Sequence, residues 1–251
     1  MILYFSGTGN SEFVAKKLAE QLDDTLLSIN DRLKEKSLKK VYSDRPLVFV
    51  APTYAWRMPR LVEQWIERVT FSGNQNAYFV LTCGGSIGGA GNYAEALCKK
   101  KNFQYMGTQQ VVMPENYLVM FSVPEEPEAI ATVMRAEPVI EEAASLIKSG
   151  LPFHKETVSL LGKAQSGPVN ALFYTMLVND KKFYVTEDCI GCGKCAQVCP
   201  LNNIKVDEGY PQWNHKCTQC MACLNECPRS AIECGMSYGK RRYHCPEETW
   251  K

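Results

Sequence analysis

Eight of the twelve cysteines in this 251-residue chain lie in two blocks of identical spacing, and this repeat constrains the fold more than any other feature. Each block reads C-x2-C-x2-C-x3-C-P. Three thiolates spaced in this way can hold three corners of an iron–sulfur cube, and the fourth, before proline, reaches the other cluster. The repeat therefore predicts two 4Fe–4S clusters and one-electron chemistry. The first cluster is expected to use Cys189, Cys192, Cys195 and Cys227, and the second Cys217, Cys220, Cys223 and Cys199.

Zinc binding and disulfide bonds are the two alternative uses of these cysteines. Zinc sites usually combine two C-x2-C pairs, or cysteines with histidines, and have no need of a fourth cysteine before proline. Only His215 of the three histidines lies near a block. The first residues lack the pattern of an export signal, so we expect a cytoplasmic location, where disulfides are rare. Iron–sulfur ligation is therefore the favoured interpretation.

The chain from about Phe183 to Ile232 resembles bacterial two-cluster ferredoxins in both blocks. The resemblance implies a small α+β two-cluster domain, which we delimit as residues 183–235. A basic and aromatic tail follows at 236–251, with the run Lys240-Arg241-Arg242-Tyr243-His244. This tail is expected either to be solvated or to dock against the N-terminal domain (residues 1–150) or an acidic redox partner.

A strand, a turn and a helix open the chain. Apolar residues 2–5 lead into a turn rich in hydroxyl groups and glycine, and apolar residues then recur at helical spacing from Glu12 to Leu22. Glycines let backbone amides face one point, and a helix N-terminus adds partial positive charge, so the turn predicts a phosphate site. An ordinary turn capped by Asn10 or Ser11 is the alternative. The predicted phosphate-binding residues are Ser6, Gly7, Thr8, Gly9, Asn10 and Ser11.

Strands alternate with helices through residues 1–150, which predicts a parallel sheet covered by helices on both faces. Ligands of such sheets lie beyond the carboxyl ends of the strands. The loops at 6–11, 52–59 and 83–91 all follow strand ends, so we expect them to converge. After the first unit, the expected elements are strands at 46–51, 77–82 and 109–113 and helices at 60–69, 92–100 and 127–149.

The phosphate turn, through Ser6, Thr8, Gly9 and Ser11, resembles the phosphate loop of flavodoxins. The resemblance implies a flavodoxin-like, doubly wound parallel sheet of five strands in residues 1–150, with FMN as cofactor. It also implies that an aromatic ring of the loop at 52–59, Trp56 or Tyr54, lies against the flavin. The third loop has no aromatic residue before Tyr93, unlike flavodoxins, which would leave one flavin face open to a substrate. The other implied flavin contacts are Pro52, Thr53, Tyr54, Trp56, Cys83, Gly84, Gly85, Gly88 and Gly89.

Residues 151–182 connect the two parts, and their apolar residues between 169 and 177 recur at helical spacing, which predicts a helical linker. The whole arrangement resembles the flavodoxin/ferredoxin fusions grouped as the EFR1-type family. That resemblance covers nearly the whole chain and implies electron transfer without naming a substrate.

The combined interpretation is an electron-transfer flavo-iron–sulfur protein that passes electrons between two 4Fe–4S clusters and FMN. The first hypothesis is a reductase of a small acceptor, the second a pure carrier between protein partners, and the third a docking domain without flavin. The net charge of +1 does not suggest nucleic-acid binding. The apolar runs are too short for a membrane span. The expected partner is a redox protein or a small acceptor, and the sequence leaves a homo-oligomer open.

Overall fold

The computed structural model describes residues 1–155 and 157–246. Residues 1–150 form alternating strands and helices, as the sequence predicts. The strands are β1 (Ile2–Tyr4), β2 (Leu26–Ser28), β3 (Val41–Ser43), β4 (Leu47–Pro52), β5 (Phe71–Gly73), β6 (Asn76–Cys83) and β7 (Gln104–Val112). The helices are α1 (Asn10–Leu22), α2 (Ile29–Lys34), α3 (Arg60–Arg68), α4 (Ala90–Lys101) and α5 (Glu126–Lys148).

Five of these strands form one parallel sheet in the order β2-β1-β4-β6-β7. This is the strand order of flavodoxin-like, doubly wound folds. The central strands β4 and β6 are buried along almost their whole length, because helices cover both faces of the sheet. Helices α1 and α5 pack on one face and α3 and α4 on the other. The predicted fold class is therefore confirmed.

The sequence located four of the five strands of this sheet, and the edges of the sheet account for the differences. Strand β2 has only three residues, and Leu26 at its start is 44% exposed, so no burial pattern marks it. The other edge strand, β7, begins at Gln104 rather than at 109, since its half-buried residues alternate only weakly in polarity. The short parallel pair of β3 and β5 was also not predicted.

The segment after residue 150 includes helix α6 (Leu160–Ala164), a π-helical turn (Gln165–Val169) and helix α7 (Asn170–Met176). No helix in residues 1–155 and 157–246 combines the length and apolar character that crossing a membrane requires. The remaining elements are β8 (Phe183–Val185), α8 (Lys194–Val198), β9 (Ile204–Asp207), β10 (Tyr210–Trp213), α9 (Ala222–Asn225) and β11 (Ile232–Cys234).

The C-terminal part repeats one unit twice, as its sequence does. Strand β8 pairs antiparallel with β11, and β9 pairs antiparallel with β10. Helices α8 and α9 each start next to the third cysteine of a block, and a left-handed residue precedes each of them. The result is a small domain of short antiparallel strands beside the flavodoxin-like sheet.

Two buried polar side chains fix the linker to the flavodoxin-like half. The Ser166 hydroxyl donates to the Trp56 carbonyl at 2.6 Å and accepts from the Gly89 N–H at 2.7 Å. The Asn170 amide donates to the Tyr54 carbonyl at 2.8 Å. The linker is therefore attached along its length to the loops at the carboxyl edge of the sheet.

The C-terminal tail docks against both halves of the chain. The Lys240 ammonium donates to the Leu118 carbonyl at 2.8 Å. The Tyr243 side chain is 2% exposed, and its backbone N–H donates to Asn225 Oδ1 at 2.7 Å. The Tyr243 hydroxyl donates to Asn10 Oδ1 in the first turn of α1. Of the two expectations for the tail, docking against the chain is the one observed; residues 247–251 lie outside the described residues.

We predict that Tyr243→Ala lowers the free energy of unfolding by about 3–4 kcal/mol, because it leaves a cavity between the halves and removes a hydrogen bond. Tyr243→Phe keeps the ring and should lose only about 1 kcal/mol. Anaerobic urea unfolding measures both values. Tyr238→Ala, at a side chain that is 74% exposed, is the control. Equal losses in Tyr243→Ala and Tyr238→Ala would contradict a structural role for the docked tail.

Candidate functional site

The eight repeated cysteines surround two separate small cavities. Each cavity takes three cysteines from one block and one from the other, and a set of four thiols fits a 4Fe–4S cluster. In the described residues, no three histidine, cysteine or acidic side chains are close enough together to hold a single metal ion. The first cavity is lined by Cys189, Cys192, Cys195 and Cys227, and the second by Cys199, Cys217, Cys220 and Cys223.

The two cavities differ in their exposure to solvent. At the first, Cys195 is buried, but Cys192 is exposed and Ile190 is 63% exposed. At the second, Cys223 is buried, and burial raises the pKa of the Cys220 thiol to about 11. Burial likewise raises the pKa of Cys217. The first cavity therefore lies at the surface, while the second lies against the flavodoxin-like half.

Both cysteine loops place two residues in the left-handed backbone region. In the first loop these are Gly191 and Gly193, with φ of 65° and 74°. In the second loop the equivalent residues are Gln219 and Met221, with φ of 54° and 62°. Glycine adopts this conformation freely, whereas other residues lose about 1–2 kcal/mol. The side-chain contacts of the second loop must offset that cost.

A cleft of about 610 Å³ lies beyond the carboxyl ends of β1, β4, β6 and β7. This volume falls within the roughly 300–1,000 Å³ of most small-molecule sites. Its walls also include α7 and residues 218–221 of the second cysteine loop. Of the predicted flavin contacts, those lining the cleft are Ser6, Gly7, Thr8, Asn10, Ser11, Pro52, Thr53, Tyr54, Trp56, Cys83, Gly84 and Gly85.

Three of the predicted flavin contacts do not line the cleft. Gly9 has a φ of 100°, and a Cβ there would lie 2.8 Å from Cβ of Cys245 in the tail. A Cβ on Gly88 would lie 3.0 Å from the Ser166 hydroxyl, which also accepts the Gly89 N–H. In the structure these glycines allow the tail and the linker to pack closely.

The phosphate turn presents backbone amides without protein acceptors. Within the described residues, the backbone N–H groups of Gly7, Thr8, Asn10 and Ser11 form no hydrogen bond. These amides stand at the N-terminus of α1, a helix of 13 residues, where an anion is stabilised. The Ser11 hydroxyl, in contrast, is bonded to the Thr82 hydroxyl at 2.8 Å. The turn thus fits the phosphate of FMN through its amides more than through its hydroxyls.

The loop at 52–59, which follows β4, places two aromatic residues, Tyr54 and Trp56, at the cleft. Ala55 and Trp56 have φ of 46° and 61°, and backbone strain of this kind clusters at functional sites. Burial raises the pKa of the Tyr54 phenol well above its usual value. The phenol therefore stays neutral at any physiological pH and can contribute to the cleft only as a hydrogen-bonding and packing group.

Several residues of the cleft were missed by the sequence interpretation. Tyr117 and Phe121 follow β7, and Phe173 comes from α7. The rule that ligands lie beyond the carboxyl ends of strands applies equally to β7, so it could have indicated Tyr117. The third loop lacks an aromatic residue, as noted from the sequence, but these three rings supply aromatic surface from other elements.

The second cysteine loop touches the phosphate turn directly. A Cβ on Gly7 would lie 2.0 Å from the Cys220 carbonyl oxygen, so this approach requires glycine. Cys220 lines both the second cysteine cavity and the cleft. Thr218 and Met221 also line both, so this stretch of the second cysteine loop belongs to both candidate sites.

Comparisons with known proteins match each half to a family. A family model described as Flavodoxin matches residues 2–136, which is more than half of the chain. The chain belongs to the flavodoxin family. A second family model, described as 4Fe-4S dicluster domain, matches residues 188–232. Flavodoxin domains imply FMN and the second domain implies iron–sulfur clusters, so this flavodoxin-family chain is an electron-transfer flavo-iron–sulfur protein.

Solved structures similar to this flavodoxin-family chain include the Trp repressor binding protein from Bacillus subtilis, at 16% identity over 62% of this chain and 99% of that one, with a TM-score of 0.35. A flavodoxin from the domain Archaea is 14% identical over 59% and 96%, with a TM-score of 0.37. The NAD(P)H:quinone oxidoreductase from Methanothermobacter marburgensis is 11% identical over 62% and 98%, with a TM-score of 0.35. TM-scores this low support no argument. The search of curated proteins found no match.

We predict that Gly7→Ala lowers the free energy of unfolding by about 1–3 kcal/mol, because its Cβ would force the Cys220 carbonyl away from the phosphate turn. Gly167→Ala is the matched control, since Gly167 does not line the cleft and its Cβ would make only an ordinary contact, 3.5 Å from the Tyr93 hydroxyl. The control should change the value by no more than about 0.5 kcal/mol. Anaerobic unfolding of the cofactor-loaded protein measures both. A Gly7→Ala protein as stable as Gly167→Ala would show that the two halves do not make this contact.

Proposed function

We propose that this chain holds two 4Fe–4S clusters and one FMN, as in the EFR1-type fusions, and acts as a reductase of a small acceptor. The observation that carries the proposal is the position of Cys220, which lines both the second cysteine cavity and the cleft. When bound, the clusters would exchange single electrons and FMN would take up or release one or two. The protein itself contributes the order, spacing and shielding of these groups.

The cysteine cavities support the iron–sulfur part of this proposal. Backbone N–H groups already point at three of the thiols: Asn203 donates to Cys199 Sγ at 3.3 Å, and Gln219 to Cys217 Sγ at 3.2 Å. The third bond joins the N–H of Ala231 to Cys227 Sγ at 3.3 Å. Such bonds offset the negative charge of thiolate ligands and tune the potential of a cluster.

The cleft supports the FMN part of the proposal. The free amides of the phosphate turn would hold the phosphate, and the aromatic residues Tyr54 and Trp56 would face the ring from the second loop. Tyr117 and Phe173, whose ring centroids are 6.0 Å apart, form part of another wall. Helix α7 would exclude water from the side of the cleft that it covers.

The order of the sites supports a route through the molecule. The first cysteine cavity is at the surface, the second lies between the halves, and the cleft follows it. A partner protein that docks at the exposed first cavity would therefore exchange electrons with the end of the series farthest from the cleft. The redox partner, the cytoplasmic location and the domain limits at 150, 182 and 235 belong to the same proposal.

The mouth of the cleft favours a reductase over a pure carrier. Four apolar side chains there are about half exposed: Met120, Phe121, Leu172 and Met176. They come from the segment after β7 and from α7, so a small molecule could enter between these elements. The pure carrier is the alternative, and the exposed first cavity favours it. Steady turnover of a small oxidant by the isolated protein with a chemical reductant would distinguish the reductase.

We predict that protein purified without oxygen contains about eight irons and eight acid-labile sulfides per chain, together with one acid-releasable FMN. Iron and sulfide assays and fluorescence of the released flavin measure these contents. Zinc in place of iron, or a supernatant without FMN, would contradict the corresponding part of the proposal.

We further predict that Cys199→Ser damages the cluster of the second cavity, although Cys199 belongs to the first block. About four irons and the spectrum of the first cluster should remain. Cys98→Ser, at a buried cysteine outside both cavities, is the control and should keep the full iron content. Damage confined to the first cluster would refute the exchange of ligands between the blocks.

A further inference from the structure

The two cysteine loops follow the same backbone path but carry different residues at one left-handed position. Gly191 occupies it in the first loop, and Gln219, 28 residues later, occupies it in the second. The first loop shows that glycine suits this position without strain. Gln219 is nevertheless present beside the cleft, and it is only 5% exposed. Its side chain must therefore provide contacts that glycine could not.

The Gln219 side chain joins three elements that line the cleft. Its amide nitrogen donates to the carbonyls of Leu177 at 2.6 Å and Asn179 at 2.9 Å, just after α7. Its amide oxygen accepts from the Tyr117 hydroxyl in the segment after β7. Its backbone N–H donates to Cys217 Sγ. One residue thus connects a proposed cluster ligand to two walls of the proposed flavin site.

Helix α7 is fixed at both ends by contacts of this kind. At its N-terminus the Asn170 amide donates to the carbonyls of Tyr54 and Ala55 in the second loop, at 2.8 and 3.0 Å. Beyond its C-terminus, Gln219 donates to the carbonyls of Leu177 and Asn179, in the turn that directly follows the helix. The helix therefore crosses the cleft from the loop at 52–59 to the second cysteine loop, and Gln219 holds its C-terminal end.

We infer that Gln219 is a positioning residue that fixes the spacing between the second cluster and the flavin, and hence the rate of electron transfer between them. The inference rests on the function proposed above. Electron-transfer rates fall with the distance between donor and acceptor, so residues that lock the walls around both groups keep the rate high. Loss of the Gln219 side chain frees the cysteine loop, α7 and Tyr117 to move independently.

The test variant is Gln219→Gly, which places at this position the residue found in the first cysteine loop. It removes the side chain and relieves the backbone strain. We expect wild-type iron, sulfide and FMN contents and unchanged midpoint potentials. Amide hydrogen exchange in residues 170–180 should be faster, because α7 loses its C-terminal partner. Electron transfer from cluster to flavin after flash reduction should slow severalfold, because the distance between the two groups is no longer fixed. A merely structural residue would change stability without changing this rate in the loaded protein.

Two further variants complete the experiment. Glu208→Gly makes the same replacement of a left-handed residue at an exposed turn, and should leave the exchange of 170–180 and the transfer rate unchanged. Tyr117→Phe removes only the hydrogen bond from the Tyr117 hydroxyl to Gln219 and should slow cluster-to-flavin electron transfer severalfold. This variant tests the inference if Gln219→Gly loses iron.

A wild-type rate of cluster-to-flavin electron transfer in a cofactor-loaded Gln219→Gly protein overturns the inference and leaves the proposed function intact. If Gln219→Gly loses iron, a wild-type rate in Tyr117→Phe overturns it in the same way. Wild-type protein without FMN or without iron refutes the proposed function instead.

Discussion

The approach of the Cys220 carbonyl to Gly7 is the constraint on which the rest of the site depends. A side chain at position 7 would overlap that oxygen, so the two halves could not meet at the phosphate turn. Because they do meet, the second cysteine loop becomes a wall of the cleft, and Gln219 can reach the end of α7. Because Gly7 has no Cβ, the candidate cofactor sites of two domains, each matched by a different family model, can lie side by side.

The linker and the tail hold this arrangement from opposite sides. The linker crosses the carboxyl edge of the sheet and uses Ser166 and Asn170 to bind the loops of the cleft. The tail runs behind the phosphate turn, where Tyr243 bonds both α1 and the second cysteine motif. Polar side chains buried at such junctions need partners of fixed geometry, so they specify one orientation of the halves where apolar contacts alone would allow several. A fixed orientation is what electron transfer over a short distance requires.

Sequence reasoning found the features that local spacing encodes. The cysteine repeat, the phosphate turn and the central strands are each set by neighbouring residues, and the parallel fold followed from their order. The contacts of Gly9, Gly88 and Gly89 could not be found in this way, because these glycines face a tail and a linker that are distant in sequence. Ser166 and Asn170 are polar residues of the kind usually found on the exposed face of a helix. They can be buried here because carbonyls of other loops accept their hydrogen bonds.

The central claim is that the second cluster and the flavin lie side by side in one chain. The most direct test is flash reduction of the clusters in anaerobic, fully loaded protein, followed by the rate of flavin reduction at several protein concentrations. The account predicts a first-order rate constant that does not change with concentration, because the electron stays within one molecule. A rate proportional to protein concentration would show that electrons pass between molecules, and would contradict the account.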